Sequence, residues 1–318
     1  MKAIVCTKYG PPEVLQLQEV EKPTPKDKQL LVRVYATAVN SADWRLRAAI
    51  PSVVRLFFGL TKPRQPILGG AFAGIVEQIG KAVDQFKPGD KVFGMTGMSV
   101  GTYAEYVCVF QDGCVAVMPQ NIDYAASASV PFGATTALHF LKKVKLVRGE
   151  KLLVYGASGA VGSAAVQFAR HIDSEVTAVC NSANLPWVQE LGAERVIDYH
   201  REDFTKNDAK YDVVFETVNK LPYAHCKKLL KRGGRLILGS AGFADMLKGV
   251  WGSASSSSQI LTGVAQETQE DVRFVRELIE QGAYVPIIDK TYLLPEMAEA
   301  HRYVQQGHKK GNVVVYID

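Results

Sequence analysis

The chain has 318 residues, 47% hydrophobic and 22% charged, enough to bury a large core and long enough for two domains. A net charge of +5 is too mild to mark a nucleic-acid surface, and the basic clusters at Lys142, Lys143, Lys145, Arg148 and at Lys227, Lys228, Lys231, Arg232 read as solvated helix ends, so no nucleic-acid partner is expected. No uninterrupted apolar stretch is long enough for a bilayer, so no membrane span is expected.

Met1-Lys2-Ala3-Ile4-Val5 reads directly as a strand, and with no targeting segment ahead of it a cytoplasmic location is expected. Residues 1–120 continue in short β-type runs such as Leu30–Val39 and Ala104–Val109. Turns at Gly10-Pro11-Pro12, Pro23–Pro25 and Pro88-Gly89-Asp90 separate them, which predicts a β-rich domain. After Asn121 helix and strand patterns alternate. His139 falls near the start of a predicted helix and reads as a satisfied structural histidine.

Lys151–Leu191 is the most informative stretch. Lys151–Tyr155 is a short apolar run, Gly156–Gly162 is a glycine-rich turn, and Val161, Ala164, Ala165, Phe168, Ala169 and Ile172 then fall at helical spacing. Ala157-x-Gly159-x-x-Gly162 is a variant of the dinucleotide fingerprint, with glycine where backbone approaches a pyrophosphate and where helix packs on strand. Ala157, Ser158, Gly159, Ala160, Val161 and Gly162 are therefore cofactor candidates, with the helix N-terminus facing phosphate. The second strand, Glu175–Cys180, ends in Asn181-Ser182 with no carboxylate. An acid there would meet a ribose 2′-phosphate at a cost of roughly 4 kcal/mol per charge pair at an effective dielectric of about 20. Its absence permits NADP(H), and NADPH is the expected cofactor. No Arg or Lys lies within Cys180–Trp187, so Asn181, Ser182, Asn184 and, further along, Tyr199 are the available partners.

Buried strands follow at Asp212–Phe215 and Arg235–Leu238, with Gly239 a further cofactor candidate directly after the second. The doubly wound pattern ends near Ile260–Thr262. Ser253–Ser258 is a low-complexity segment read as a mobile surface loop. A helix with Val272, Val275, Leu278 and Ile279 on one face comes next, and Asn312–Ile317 is the last strand. The resulting division is a β-rich domain over 1–121, a nucleotide domain over 122–262, and a segment, 263–318, returning to the first. The five cysteines, Cys6, Cys108, Cys114, Cys180 and Cys226, are scattered without a C-x-x-C pair and read as reduced packing residues. A redox role would need a depressed thiol pKa.

The order of these segments resembles the medium-chain dehydrogenase/reductase superfamily, and within it the zinc-free quinone oxidoreductases and alkenal/enone reductases. The signposts are Val39-Asn40-Ser41-Ala42-Asp43-Trp44, Leu68-Gly69-Gly70-Ala71-Phe72-Ala73-Gly74, Pro88-Gly89-Asp90-Lys91-Val92, Gly156–Gly162, and Leu191-Gly192-Ala193 leading to Val196-Ile197-Asp198-Tyr199. The Asp-Trp pair and the stretch through Gly59, Lys62, Pro63 and Arg64 are most similar to the chloroplast-envelope quinone oxidoreductase-like subgroup. The resemblance implies an α/β fold, a Rossmann doubly wound parallel-sheet domain plus a β-rich GroES-like domain, and a homodimer formed along an edge of the nucleotide-domain sheet. Zinc-dependent members place a Cys, a His and a second Cys at the positions matched here by Asp43, Gly70 and Phe132, so no metal is expected.

Without zinc nothing stabilises an alkoxide, and reduction of an activated acceptor is the easier chemistry. The implied activity is hydride transfer from NADPH to a quinone or an α,β-unsaturated carbonyl, with fixed donors holding the developing oxyanion. By resemblance the Asn40–Arg47 segment lines the substrate side of the nicotinamide and Thr136 lies beneath the ring. Asn40 offers an amide donor, Asp43 a group to orient water or a neighbour, and Arg45 or Arg47 a cation for the oxyanion. Each has a structural alternative: Asn40 capping a turn, Asp43 pairing with Arg47, Thr136 packing a helix. Gly70-Ala71 stands where relatives often carry Thr-Asp, and Arg45 where several quinone reductases carry tyrosine, implying a wider, more basic pocket. Pocket shape rests on loops such as Ala48–Leu60. Lys310 and Asn312 match a family stretch near the cofactor, although a turn before the last strand explains Lys310-Gly311-Asn312 equally well. Two other classes remain open: a metal-free NADP-dependent dehydrogenase of another carbonyl or alcohol, and a non-catalytic NADPH-binding sensor.

Overall fold

The computed structural model describes residues 1–239 and 259–317; Ser253–Ser258 lies outside them. The chain first runs through β1 (Lys2–Cys6), β2 (Leu15–Glu19), β3 (Gln29–Val39), α1 (Ser41–Ala48), α2 (Val54–Phe58), β4 (Ala71–Ile79), β5 (Lys91–Met95), β6 (Tyr106–Phe110), β7 (Val115–Val117) and α3 (Tyr124–Lys143). Strands and helices then alternate as β8 (Lys151–Tyr155), α4 (Ala160–His171), β9 (Glu175–Cys180), α5 (Leu185–Glu190), β10 (Arg195–Asp198), β11 (Tyr211–Glu216), α6 (Tyr223–Leu229), β12 (Leu230–Leu238) and β13 (Gln259–Thr262). The last elements are α7 (Gln269–Glu280), β14 (Ile288–Leu293), α8 (Met297–Gln305) and β15 (Asn312–Tyr316). Contacts divide the chain into two units, Met1–Phe132 with Glu267–Asp318, and Gly133–Gln266.

The first unit is β-rich. Its long strand β3 carries Leu30, Leu31, Val32, Val34, Ala36, Ala38 and Val39, all but excluded from solvent, and pairs antiparallel with β4, β6 and β15 in a seven-stranded sheet. Val313 stands opposite Val39, so the C-terminal strand is built into the sheet begun by the N-terminal region. α8 covers this core with Met297, Ala300, His301 and Val304, the i, i+3, i+4, i+7 stripe of a helix buried on one face. α7 obeys the same rule with Val272, Val275, Leu278 and Ile279 at 1–2% exposure, and Thr268 caps it by accepting the Asp271 N–H at 3.1 Å. Leu278→Ala is accordingly expected to cost about 2–5 kcal/mol of unfolding free energy. Glu277→Ala, on the exposed face, is expected to move it by less than about 0.5 kcal/mol, and urea titration of the pair checks both.

The second unit is the doubly wound nucleotide fold expected from the sequence. Its six strands lie in the order β10-β9-β8-β11-β12-β13, all parallel. β8 and β11 are near-continuous apolar runs because both faces of a parallel sheet are covered. β12 starts at Leu230 rather than Arg235; Lys231, Arg232 and Gly233 are exposed there, so no apolar pattern announces them. His139 is corrected as well, since it lies in the last third of α3 rather than near a helix start. Pro131 lies inside that helix, which runs on through it. Within Ala48–Leu60 the chain forms the short helix α2, none of whose residues is buried.

Candidate active site

The turn from β8 to α4 is shaped by three close approaches. Gly156 adopts φ +82°, and a Cβ there would lie 2.6 Å from Thr217 Oγ1. A Cβ on Gly162 would lie 2.2 Å from the Gly156 carbonyl oxygen, so only glycine lets the helix seat on the strand. Helix α3 meets this turn through Gly133, whose Cβ would fall 2.5 Å from Ala160 O. Gly159 differs: it precedes α4 with extended backbone, and a Cβ on it would first meet Gly156 O at 3.5 Å. Open space therefore lies in front of the helix. Ser163 N–H is bonded to Gly159 O at 2.9 Å, while the N–H groups of Ala160, Val161 and Gly162 begin the helix and have no partner one turn back. These amides and the helix dipole form a cradle for an anion. β8 lies between β9 and β11, where the winding of the sheet reverses, and its carboxyl end is the crevice in which such folds take ligands. Ala157 closes the floor, buried, with its N–H on Val179 O; Gly239, directly after β12, places its N–H on Glu216 O at 2.8 Å. The cradle fits the pyrophosphate of a dinucleotide.

Beside it, at the end of β9, Asn181 Oδ1 is buried without a partner. Asn184 is 2% exposed and accepts Trp187 Nε1–H at 3.0 Å, a local bond at the start of α5. Ser182 donates its hydroxyl to Asp198, the last residue of β10. The sequence argument that no carboxylate closes β9 holds for β9 itself, but parallel register sets Asp198 opposite Cys180 and brings an acid from the neighbouring strand. Ser182, then the His200 N–H, hold its carboxyl below the usual range, and Arg201 Nε lies 3.5 Å from it with most of its side chain in solvent. Tyr199 is exposed beside His200, ring centroids 4.3 Å apart. Sequence reading missed Asp198 and Arg201 because their relevance depends on strand register. Burial pushes the Cys180 thiol up to about 12 and those of Cys6 and Cys108 to about 11, and it raises Cys114 and Cys226 too, which removes the thiolate character a redox role needs.

In the first unit Asn40, Asp43, Arg45 and Arg47 lie where β3 turns into α1. Asp43, in the first turn, accepts the Asn40 N–H through Oδ2 at 2.7 Å. The reciprocal contact is not made, and Asn40 Oδ1 is buried without a partner. Asp43 does not pair with Arg47. Its other contact is the Tyr103 hydroxyl, and Tyr103 is in turn 3.1 Å from His301 Nε2 on α8. Burial holds the Asp43 carboxyl up at about 7, partly opposed by Asn40 and Tyr103. Glu267 is also raised to about 7, by burial and then by the charge of Asp43. Arg47 is fully buried and donates Nη2–H to Gln305 Oε1 at 2.5 Å, so it is withdrawn from the oxyanion role considered for it. Arg45 remains, half-buried, with its guanidinium 5.5 Å from the Trp44 ring centroid. Tyr103, His301 and Glu267 lay beyond sequence reading: 60, 258 and 224 residues after Asp43, they carry no motif signal.

Thr136 lies in α3 and is 8% exposed. Lys310 donates its N–H to Asp289 Oδ2 at 2.9 Å, and Asn312 donates Nδ2–H to Ile287 O at 3.1 Å, which pins the turn before β15. Gly311 there has φ +55°. A zinc ion does not fit the three matched positions: Asp43 is engaged by Asn40 and Tyr103, and Gly70 and Phe132 carry no donor atom. Among the described residues no three His, Cys, Asp or Glu side chains are grouped as a metal would need, and no helix is long and apolar enough to cross a membrane.

Two sequence families match the chain: "Alcohol dehydrogenase GroES-like domain" over residues 26–120 and "Zinc-binding dehydrogenase" over residues 191–315. The NADPH-dependent alkenal/one oxidoreductase of Arabidopsis thaliana chloroplasts is 30% identical, across 99% of this chain and 79% of that protein. The quinone oxidoreductase of Lama guanicoe is 33% identical, across 100% of this chain and 97% of that protein. Among solved structures, the quinone oxidoreductase from Coxiella burnetii superposes with a TM-score of 0.89 at 27% identity, covering 100% of this chain and 99% of that one.

Proposed function

The chain belongs to the medium-chain dehydrogenase/reductase superfamily as a quinone oxidoreductase-like reductase, and on that footing we propose that it reduces a quinone or an α,β-unsaturated carbonyl with NADPH and without zinc. The observation that carries the reading is the open cradle at Gly159, at the switch point of a parallel sheet, in a chain whose zinc positions hold Asp43, Gly70 and Phe132. A bound nicotinamide supplies a hydride. In this reading the amides of Ala160, Val161 and Gly162 hold the pyrophosphate, and Ser182, Tyr199 and Arg201 meet the ribose phosphate. Arg201 offsets Asp198 there, so the site presents a charge pair rather than a bare acid to the 2′-phosphate. On the acceptor side Asn40 is the amide donor, Asp43 orients a water or a neighbouring side chain, Arg45 is the oxyanion partner, and Thr136 lies beneath the ring. An activated acceptor suits this set, because charge develops on an oxygen that hydrogen bonds alone can stabilise.

The test is loss of nicotinamide absorbance with NADPH, and with NADH in parallel, against 1,4-benzoquinone, trans-2-hexenal, a saturated aldehyde and no acceptor, each with and without a chelator. Turnover of the quinone or the enal, unaffected by chelator and faster with NADPH, is expected. Tight NADPH binding with no turnover of either acceptor overturns the reading in favour of a binding protein. The homodimer belongs to the same proposal: among the described residues β13 is one of the two edge strands of its sheet, and light scattering tests the assembly.

A further inference from the structure

The contacts of Asp43 extend into a buried chain of groups that the reductase reading alone does not require. Asp43 touches the Tyr103 hydroxyl, Tyr103 lies 3.1 Å from His301 Nε2, and the two rings meet edge-on at 5.6 Å between centroids. Arg47 is the neighbouring cation, with Nε and Nη1 buried and unpartnered. Nδ1 of His301 is also unpartnered. A buried cation beside the ring favours a bare lone pair on Nδ1, which places the proton on Nε2 and makes His301 a donor to the Tyr103 oxygen. The Tyr103 O–H is then free to donate to Asp43. Tyr103, His301 and Arg47 are wholly excluded from solvent, whereas Asp43 keeps 6% exposure. A proton therefore enters or leaves this chain at Asp43.

We propose that the Asp43 carboxyl is the proton source for the reduced acceptor, and that Tyr103 and His301 are positioning residues that set its proton affinity. The inference rests on the reductase reading. Once the acceptor has received hydride it is an enolate or a quinol anion. The Asp43 O–H bond breaks, its proton forms the new C–H or O–H bond, and the electron pair stays on the carboxylate, which takes a proton back from water when product leaves. The carboxylate so formed accepts from Asn40 N–H and Tyr103 O–H, with His301 behind Tyr103 and the Arg47 charge behind His301. The groups that bear on its titration come from every side: Asn40 ahead of α1, Arg47 within it, Tyr103 ahead of β6, His301 on α8 and the Glu267 carboxyl ahead of α7. Cys6, Glu13 and Arg302 bear on Arg47 in turn.

Two readouts test the proposal. In cofactor-free protein, difference infrared spectra of wild type against Asp43→Asn follow the Asp43 carboxyl stretch with pH. A midpoint near 7 is expected, moved to higher pH in Tyr103→Phe, which removes the donor to the carboxylate. In turnover with trans-2-hexenal or 1,4-benzoquinone, Asp43→Asn is expected to lower kcat by about a hundredfold or more, with KM and the NADPH Kd within about threefold. Tyr103→Phe should move the alkaline limb of kcat upward by the same interval as the infrared midpoint, a coincidence that loss of packing does not produce. Should Asp43→Asn fail to fold, the agreement of the two shifts in Tyr103→Phe decides. An active enzyme in which Asp43→Asn leaves kcat and its pH profile unchanged, or in which the two shifts disagree, overturns the proposal and leaves the reductase reading standing. No turnover by wild type with either acceptor overturns both.

Discussion

Gly159→Val is expected to fold much as wild type does and to bind NADPH at least about a hundredfold more weakly, a loss of roughly 2.7 kcal/mol. The two halves of this expectation come from one geometric fact. At Gly159 a Cβ meets nothing closer than Gly156 O at 3.5 Å, and the backbone is extended, a conformation valine favours. The folding penalty is limited to the weaker N-cap, about 1 kcal/mol. In the proposed reading the same open space takes the pyrophosphate against the amides of Ala160, Val161 and Gly162, and an isopropyl group there would keep it away from all three. Gly162→Val is the contrasting case, because its Cβ would lie 2.2 Å from Gly156 O and 2.7 Å from the Ala157 Cα, both backbone atoms of the turn. That variant is expected to lose thermal stability together with affinity. Calorimetric titration of NADPH, paired with thermal melts, separates the two. Unchanged affinity in a folded Gly159→Val protein sinks the placement of the cofactor at this turn.

The nucleotide fold was legible because its information is local. Lys151–Tyr155, the glycines and the helix after them follow one another without a gap, and Glu175–Cys180 is the strand that a short apolar run bounded by turns must be. The same locality made the face of α7 readable from Val272, Val275, Leu278 and Ile279. Legibility failed where position depends on what lies across a sheet or on another element. Asp198 is read as the end of a strand, and only the pairing of Asp198 with Cys180 makes it a neighbour of Ser182. Arg47 reads as a cation for the oxyanion or a partner for Asp43, yet α8 closes over it and Gln305 receives its guanidinium. His301 falls at the helical spacing of buried residues, as an apolar side chain would, so its chemistry is hidden by its pattern. The residues that tune a site are in this sense less readable than those that cradle a ligand. A cradle needs a glycine at a fixed offset, whereas a tuning group needs only to be near.

The buried network around Asp43 is expected to appear in the pH dependence of stability, as a difference between variants. His301 is depressed from 6.5 to about 3, by burial and then by Arg47. Its contribution to stability is fully present above 6.5 and is lost as pH falls toward 3. Asp43 is raised from 3.8 to about 7 by burial, and its contribution runs the other way, present below 3.8 and lost as pH rises through 7. Glu267, raised from 4.5 to about 7 by burial and by Asp43, acts with it. Between pH 4.5 and 6.5 the folded chain therefore holds the protons of both carboxyls, which the unfolded chain sheds, and lacks the His301 proton, which the unfolded chain takes up as pH falls through this window. Removing one of these groups changes the slope of unfolding free energy by up to about 1.4 kcal/mol per pH unit. His301→Gln, which cannot charge, should steepen the loss of stability with rising pH in this window by that amount. Asp43→Asn should flatten it by a similar amount. Glu216, also raised by burial, contributes equally to wild type and both variants and cancels from the comparison. Urea unfolding of the three proteins at several pH values from 4.5 to 6.5 measures the slopes. Parallel lines would mean that neither group differs in protonation between the folded and unfolded chain, whereas lines diverging in opposite directions place an uncharged histidine and a protonated aspartate inside the same folded core.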